Sequence, residues 1–160
     1  MDRCFEKISF KQFKKDVSND DKLYNSYKLP ERSSKNSCGY DFLSIQDLVI
    51  QPGEILKIPT GYKFKCNHDE FLMLVVRSSM GFKYNVRMCN QVGIIDSDYY
   101  NNIDNEGHIW VCLQNEGDTN FVINKGDKYC QGIIMKYLTC DDSVNMVRTG
   151  GIGSTNRKKD

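Results

Sequence analysis

The 160-residue sequence has no excess of charge of either sign. It contains 22 basic and 21 acidic residues, so its formal net charge is +1. A chain this close to neutrality has no broad positive field for nucleic acid or for an anionic membrane surface, and it must hold any phosphate at a local site. We therefore expect a small-molecule site, with no nucleic-acid partner.

Long apolar runs, paired cysteines and a histidine cluster are also missing. The apolar runs span only a handful of residues, against the ~20 needed to cross a bilayer, so no membrane partner is expected. The seven cysteines never form a C-x-x-C pair, and His68 and His108 stand far apart, which argues against zinc. The N-terminal segment is polar and unlike a secretory signal. We expect a cytoplasmic protein with reduced cysteines that mostly fill the core.

Short runs rich in β-branched and aromatic residues dominate the chain from about Leu23 onward. Examples are DLVI, EILKIPTGYKFKC, FLMLVVRSS, IWVCLQN, TNFVINKGD and YCQGIIMKYL. Turn clusters separate them at about ten residues per strand plus turn, which predicts an all-β sandwich or jelly roll. Pro52-Gly53 and residues 115–117 suit hairpin turns.

The two ends of the chain depart from this β pattern. Residues 3 to about 17 predict a short amphipathic helix, because Phe5, Ile8, Phe10 and Phe13 recur at near-helical spacing. The segment RTGGIGSTNRKKD, from Arg148 to Asp160, contains only small, polar and charged residues apart from one isoleucine, and it cannot pack a core. We therefore expect one β domain over residues 1–147 and a flexible flap over 148–160, whose glycines let backbone N–H groups approach phosphate.

Two stretches place reactive side chains at the ends of predicted strands. Arg77, Ser78 and Ser79 combine a guanidinium fork with two hydroxyl donors, which suits phosphate, although a serine-capped turn is the alternative. Asp96 and Asp98 lie two residues apart, so on a strand both would face the same side. One such carboxylate can orient water as a general base, although a solvated pair in a turn is again the alternative.

Several further residues attract attention because of their surroundings. Gln131 and Asn90 lie within apolar segments, and leaving a buried amide unpaired costs about 1–3 kcal/mol, so each needs partners or a function. Tyr99, or alternatively its neighbour Tyr100, offers a flat ring with a polar edge that can cover a sugar or a base. Asp41 is an acid beside a glycine and an aromatic residue.

Five blocks resemble, in sequence order, the five motifs of the homotrimeric dUTPase family. They are CGYDFLS, RSSMGFK, NQVGIIDSDY, GDKYCQGII and RTGGIGST, and the match covers about residues 29–156. The resemblance implies a distorted jelly roll, or β-prism, that forms a homotrimer with active sites at subunit interfaces. It also implies hydrolysis of dUTP to dUMP and pyrophosphate, with Mg²⁺ held mainly by the triphosphate. Such an activity limits uracil in DNA and supplies dUMP.

The resemblance also implies individual roles. Asp96 would activate the attacking water, Tyr99 would pack under the deoxyribose, and Asp41 would reach the waters of the metal. The residues that would bind the base, the phosphates and the closing tail are Arg77, Ser78, Ser79, Asn90, Gly93, Ile94, Ile95, Gln131, Arg148, Gly151, Ile152, Gly153, Ser154 and Thr155. The backbone of residues 93–95 would read the uracil edge within a hairpin.

Three features depart from the family pattern. Ile152 replaces an aromatic residue that would stack on uracil. The tail is one residue shorter than the common form, which leaves Arg148 and Arg157 as alternatives for the γ-phosphate. The segment YNNIDNEGHI is longer than its counterpart and predicts a protruding loop over residues 100–108, where a protein partner has room to bind.

Two other functions compete with dUTP hydrolysis. A dCTP deaminase of the same fold needs a glutamate on the strand after the third motif, where this chain has Cys112, and residues 77–105 contain no glutamate. A thiol is a poor substitute for that proton relay. A nucleotide-sensing regulator that binds a protein partner is the second alternative, and the retention of Asp96 argues against a purely non-catalytic version.

Overall fold

The computed structural model describes residues 3–141, 148 and 150–151, and this part of the chain is mainly β-structure. Its strands are Cys4–Lys7 (β1), Glu31–Arg32 (β2), Gly39–Leu43 (β3), Leu48–Ile50 (β4), Ile55–Pro59 (β5), Tyr62–Lys65 (β6), Glu70–Val76 (β7), Val86–Met88 (β8), Gly93–Asp96 (β9), Trp110–Asn115 (β10), Phe121–Ile123 (β11) and Lys128–Lys136 (β12). Its helices are Phe10–Asp16 (α1), Asp21–Ser26 (α2) and Ser78–Tyr84 (α3), with one 3₁₀ turn at Ser97–Tyr99. The all-β expectation is confirmed.

The largest sheet has the strand order β2-β3-β12-β7-β9, and each neighbouring pair is antiparallel. Strand β12 lies at its centre and places Gln131 opposite Asp41 on one side and opposite Val75 on the other. Strand β9 forms the edge, with Asp96 opposite Phe71. The remaining sheets are β5-β10-β8, β1-β6 and β4-β11.

Side-chain alternation on the strands builds one core between these sheets. On β10, Val111 and Leu113 are buried, while Trp110 and Cys112 point to the other face and are half-buried. This period of two is the expected signature of a strand with one face in the core. No helix within the described residues is long and apolar enough to traverse a bilayer.

The N-terminal helix is shorter than expected, because its first part is a strand. Residues 4–7 pair with β6, and Phe5 lies opposite Phe64 with their rings 4.7 Å apart. Burial of Phe5 against this neighbour overrides the weak helical spacing. The helix begins only after Ser9, whose Oγ accepts a hydrogen bond of 3.2 Å from Gln12 N and caps α1.

The turns predicted at Pro52-Gly53 and at residues 115–117 exist, but they do not close hairpins. Strand β4 pairs with β11, whereas β5 pairs with β10, so each turn carries the chain from one sheet to another. The hairpin expected around Asn90 is likewise absent from the described residues, since β8 pairs with β10 and β9 pairs with β7. Turn residues set the local bend, while burial of side chains across the fold selects the pairing partner.

Candidate active site

A pocket of about 450 Å³ lies between β9 and β10, and we call it the Tyr99 pocket. Asn90, Gly93, Ile94 and Ile95 line it together with Tyr99, Trp110, Cys112 and Arg148. The approach of β9 to β7 needs a small residue, because a Cβ added to Gly93 would lie 3.1 Å from Leu74 Cβ. The four residues expected to read a base are therefore gathered in one place.

Tyr99 forms a fixed wall of this pocket. The residue is 5% exposed, and its hydroxyl donates a hydrogen bond of 2.9 Å to the backbone oxygen of His108. The same hydroxyl accepts one of 2.9 Å from Asn105 Nδ2. Burial raises the pKa of Tyr99, so the ring stays a neutral phenol at physiological pH.

The segment after Tyr99 folds back against it. Asn102 Oδ1 accepts hydrogen bonds from the backbone N–H groups of Asp104 and Asn105, at 3.0 and 3.2 Å. Gly107 has φ +79°, and a Cβ there would lie 2.6 Å from the Tyr99 carbonyl oxygen. Ile103, at the tip, is 87% exposed. A loop with an exposed tip is thus present over residues 100–108, and its base supports the Tyr99 ring.

His108 ties this loop to the N-terminal helix. Its ring is fully buried, with Nδ1 2.6 Å from Asp16 Oδ2, while Nε2 accepts a hydrogen bond of 2.9 Å from Gly61 N. Because Nε2 is the acceptor, the proton of the neutral ring lies on Nδ1 and is donated to Asp16. Burial lowers the pKa of His108 and outweighs the opposing effect of Asp16, so the imidazole is held neutral.

Asp96 and Asp98 share one arginine at the rim of the pocket. Arg148 Nη1 lies 3.1 Å from Asp96 Oδ2 and 3.1 Å from Asp98 Oδ1. Its guanidinium also stands 5.4 Å from the centre of the Tyr99 ring. The two carboxylates converge as expected, although only Asp96 is on the strand and Asp98 is in the 3₁₀ turn. Arg148 therefore covers the positions where a water and a sugar are expected.

A second pocket of about 460 Å³ lies at the far end of β7, and we call it the Asp41 pocket. Its lining includes Asp41, Arg77, Ser78, Ser79 and Gln131. Arg77 is the N-cap residue of α3 and the two serines form its first turn, so the expected turn is the start of a helix. The predicted phosphate-binding side chains meet here.

The carboxylate of Asp41 is buried but well compensated. Lys128 Nζ lies 2.9 Å from Oδ2 and Arg77 Nε 3.4 Å from Oδ1, while Ser33 Oγ donates a hydrogen bond to Oδ2. Burial alone would raise the pKa of Asp41, but Ser33, Lys128 and Arg77 together hold it below its usual range. Asp41 therefore stays ionised and positions two cations beside the pocket.

Gln131 reaches the Asp41 pocket because Gly39, its diagonal neighbour on β3, has no side chain. Its Nε2 donates a hydrogen bond of 3.4 Å to the Val76 carbonyl oxygen. A Cβ added to Gly39 would lie 2.3 Å from Gln131 Oε1, which no real contact permits. Glycine at position 39 thus leaves the space into which the amide of Gln131 extends.

The two pockets are separated along β7. Asp96 lies opposite Phe71 on this strand, whereas Arg77 follows the strand's other end. Six residues separate Arg77 from Phe71, the residue opposite Asp96. At about 3.3 Å per residue of extended chain, Arg77 lies roughly 20 Å from Phe71 along the strand. Within one chain, Asp96 and the Asp41 pocket therefore lie toward opposite ends of β7.

Sequence reasoning missed several residues that build these pockets. Ser33 and Lys128 hold Asp41, and Asn105 holds Tyr99. Lys128 lies in the same sequence block as Gln131, GDKYCQGII, but Ser33 lies outside all five blocks. Gly151 N donates to Asp104 Oδ2 at 3.1 Å, so the tail glycine meets the loop. The predicted residues Ile152, Gly153, Ser154 and Thr155, with Arg157, lie outside the described residues.

The described part of the chain offers single carboxylates, and no larger cluster of acidic, histidine or cysteine side chains, for contact with a metal ion. In residues 3–141, 148 and 150–151, no three Asp, Glu, His or Cys side chains converge on one point. Asp41 is already paired with two cations, and Asp96 with one. These carboxylates fit contacts to metal-bound water better than a closed protein cage.

Comparisons with known proteins identify relatives of this chain. The dUTPase family model matches residues 25–158. The deoxyuridine 5'-triphosphate nucleotidohydrolase of Lactococcus lactis is 43% identical over 130 residues, which cover 79% of this chain and 87% of that protein. The crystal structure of dUTPase from Streptococcus mutans has 35% sequence identity and a TM-score of 0.70, and the match covers 86% of this chain and 98% of the other.

A more distant structure shares the fold. It is a mutant dUTPase from phage phi11 of S. aureus, described with the coordination of a structural Mg(II) ion. Its sequence identity is 19% and its TM-score 0.68, with 91% of this chain and 98% of the other covered. At this identity the likeness supports the fold alone. On the family model and the relatives above 30% identity, this chain belongs to the dUTPase family.

Proposed function

We propose that this protein hydrolyses dUTP to dUMP and pyrophosphate by attack of water on the α-phosphorus. The observation that carries the proposal is the Tyr99 pocket, which gathers Asn90, the backbone of residues 93–95 and Tyr99 beside Asp96. Membership of the dUTPase family supports the same reaction. Removal of dUTP in this way limits uracil in DNA and supplies dUMP.

Recognition of the nucleoside rests on the Tyr99 pocket. Asn90 and the exposed polar groups of the β9 backbone present donors and acceptors to the edge of uracil. The buried Tyr99 ring lies beneath the deoxyribose and leaves no room for a 2′-hydroxyl. Because its hydroxyl is held by His108 and Asn105, the ring does not move aside for a ribonucleotide.

Asp96 is the general base in this proposal. Its side chain is 55% exposed, so water reaches it once Arg148 moves away. Water then donates a proton to the Asp96 carboxylate, its oxygen forms a bond to the α-phosphorus, and the bond from that phosphorus to the bridging oxygen breaks. Pyrophosphate leaves, and the rate gain comes from positioning and charge neutralisation.

The phosphates are held by a second copy of the chain. Arg77, Ser78, Ser79 and Gln131 supply guanidinium, hydroxyl and amide donors in the Asp41 pocket. Arg77 of this pocket lies roughly 20 Å along β7 from Phe71, the residue opposite Asp96 in the same chain. We therefore infer that each active site forms between two copies of the chain. The homotrimer implied by the sequence motifs meets this requirement with three equivalent interfaces.

Mg²⁺ completes the substrate in this proposal. The triphosphate oxygens would hold the ion, with Asp41 contacting its waters. When bound, the ion neutralises phosphate charge. The protein residues orient the nucleotide and accept the proton of the attacking water.

The tail from Arg148 onward is proposed as a flap that closes over the nucleotide. Closure would transfer Arg148 from Asp96 to a phosphate oxygen, which frees the base as the substrate is secured. Deleting residues 148–160 is expected to lower kcat without unfolding the core, and an unchanged kcat would remove this role. A cytoplasmic location fits a chain whose core cysteines, Cys66 and Cys130, are reduced thiols.

Neither alternative function gains support. Among the described residues, those that line the Tyr99 pocket include no glutamate to relay a proton for deamination. The loop at 100–108 makes hydrogen bonds to Tyr99 and to its own backbone, which gives it a role without a protein partner.

The decisive experiment measures pyrophosphate release with dUTP, dCTP, dTTP and UTP, each with Mg²⁺. We expect rapid release from dUTP alone, and no ammonia from dCTP. Ammonia release from dCTP would favour the deaminase, and binding of dUTP without turnover would favour the regulator.

A further inference from the structure

Two thiols face each other across the wall of the Tyr99 pocket. Cys112, on β10, lies next to the end of β8, and Cys89 N donates a hydrogen bond of 2.8 Å to Cys112 O. The two Sγ atoms are 3.4 Å apart. Both residues are half-buried and both line the pocket. No step of the proposed hydrolysis uses either sulfur.

The backbone geometry permits a bond between these sulfurs. Leu113 pairs with Met88, so Cys112 and Cys89 occupy the next opposed positions of the antiparallel ladder. Opposed residues in such a ladder have Cα atoms about 4.5–5.5 Å apart, within the range of about 4.4–6.8 Å found in disulfides. A bond therefore needs mainly a rotation of the two side chains.

The surroundings assign different roles to the two sulfurs. Cys112 Sγ donates a hydrogen bond to Cys89 Sγ, so Cys112 is the donor and Cys89 the acceptor of this contact. Burial, followed by the contact with Cys89, raises the pKa of Cys112, which therefore keeps its proton. Lys57, opposite Cys112 on β5, adds a cation beside the pair. Cys89 is thus the better first nucleophile.

The core cysteines lack these features. Cys66 and Cys130 are buried and donate to backbone carbonyl oxygens, and burial raises their pKa values to about 11 and about 12. Thiols in such surroundings are inert toward oxidants. The pocket pair therefore stands apart from the cysteines that serve only to fill the core.

We propose that Cys89 and Cys112 form an oxidation site in the Tyr99 pocket, where a hydroperoxide converts the two thiols into one disulfide. The Cys89 thiolate attacks one peroxide oxygen, the O–O bond breaks, and the departing alkoxide takes a proton to leave as the alcohol. The Cys112 sulfur then displaces hydroxide from the sulfenic acid, and that hydroxide leaves as water with the proton of Cys112. Two thiols are oxidised by two electrons, and the peroxide is reduced.

The disulfide would act on nucleotide binding through Asn90. This residue follows Cys89 directly, in the turn where Gln91 N is bonded to Met88 O at 3.0 Å. Side-chain rotation at Cys89 shifts that turn and changes the pocket wall that meets the base. Loss of one base contact corresponds to a rise of about tenfold in KM for dUTP. A bound nucleotide, in turn, should shield the sulfurs from the oxidant.

The chemical test uses a C38S/C140S parent, because those two cysteines are exposed and would react independently. The parent and its C89S and C112S derivatives are treated with hydrogen peroxide, alkylated, and analysed by intact mass and peptide mapping. We expect the parent to lose two hydrogens in a peptide pair that contains Cys89 and Cys112. Free alkylation of both residues in the parent, or the same mass loss in C89S, would overturn the site.

The functional test compares KM before and after oxidation. The parent should show the rise in KM and recover with dithiothreitol, while C89S, which lacks the attacking sulfur, should give the same KM before and after peroxide. A disulfide that forms but leaves KM unchanged would contradict the link to base binding. This thiol chemistry is measured without substrate, so it stands or fails separately from the proposed hydrolysis.

Discussion

The hydroxyl of Tyr99 is fixed by two hydrogen bonds of 2.9 Å, one donated to the His108 backbone oxygen and one accepted from Asn105 Nδ2. Both partners belong to the loop over residues 100–108, which follows Tyr99 in the chain. The loop therefore supports the Tyr99 ring, and if Tyr99 packs under the deoxyribose as proposed, substrate discrimination is expected to depend on residues that do not touch the nucleotide.

Replacing Asn105 by alanine should weaken discrimination between dUTP and UTP. Loss of one hydrogen bond leaves the Tyr99 ring freer to move and admit a 2′-hydroxyl. We expect the ratio of kcat/KM for dUTP to kcat/KM for UTP to decrease by up to about tenfold. The measurement is kcat/KM for both nucleotides. I103A is the matched control, because Ile103 lies in the same loop and is 87% exposed. Equal effects of the two variants would refute the positioning role.

Replacing Asp96 by asparagine should abolish turnover while preserving nucleotide binding. Removal of a general base commonly costs about 10²- to 10⁴-fold in rate, whereas the amide keeps the shape of the side chain. Steady-state kinetics and calorimetry with a non-hydrolysable dUTP analogue measure the two properties. D98N is the control, since Asp98 contacts the same arginine at the same 3.1 Å. Normal hydrolysis by D96N would exclude the assignment.

Replacing Gly39 by alanine should displace Gln131 from the Asp41 pocket. The added Cβ would lie 2.3 Å from Gln131 Oε1, so the amide must move. We expect KM for dUTP to rise by about tenfold, the effect of one lost phosphate contact. The Q131A variant should show a similar rise, and G39A/Q131A should be no worse than Q131A. Additive effects of the two changes would place Gly39 in a separate role.

Acid should destabilise the protein through His108. Its pKa is lowered in the folded state by burial, so below about pH 6.5 the unfolded chain binds a proton that the folded chain resists. As the pH is lowered below this point, the free energy of unfolding should decrease by up to about 1.4 kcal/mol per pH unit, until the pH reaches the pKa of His108 in the folded state. Urea denaturation at a series of pH values, from about one unit above the ordinary histidine pKa to about one unit below it, measures this slope.

The H108N variant should lose this part of the pH dependence even if its stability at neutral pH is lower. H68N is the control, because His68 lies in an exposed turn between β6 and β7. An unchanged slope in H108N would assign the acid sensitivity to another group.

The fold class and the residues that belong to the candidate site can be predicted from the sequence better than the pairing of the strands. The sequence predicts Asn90, Asp96 and Tyr99 as site residues because all three lie within one short motif of ten residues. The pairing partners of β4 and β5 cannot, since turn residues such as Pro52-Gly53 bend the chain without choosing a neighbour. The local spacing places Phe5 in a helix for the same reason, because its contact with Phe64 is distant in sequence.

The supporting residues escape prediction for a related reason. Ser33 lies in a loop, and only the folding of β2 onto β3 brings it to Asp41. Asn105 is one of several asparagines in its segment, and nothing local distinguishes the one that reaches Tyr99. Contacts made by side chains across long sequence separations carry no local pattern, so only the structure reveals them.

The distance along β7 between Asp96 and Arg77 has a genetic consequence. If each catalytic centre takes its carboxylate from one polypeptide and its guanidinium from another, a D96N chain and an R77A chain are each inactive alone. Denatured and refolded together, they should regain partial activity by complementation, because some mixed assemblies unite an intact Asp96 with an intact Arg77. Two mutant alleles that each encode an inactive chain would then restore activity to each other in one cell.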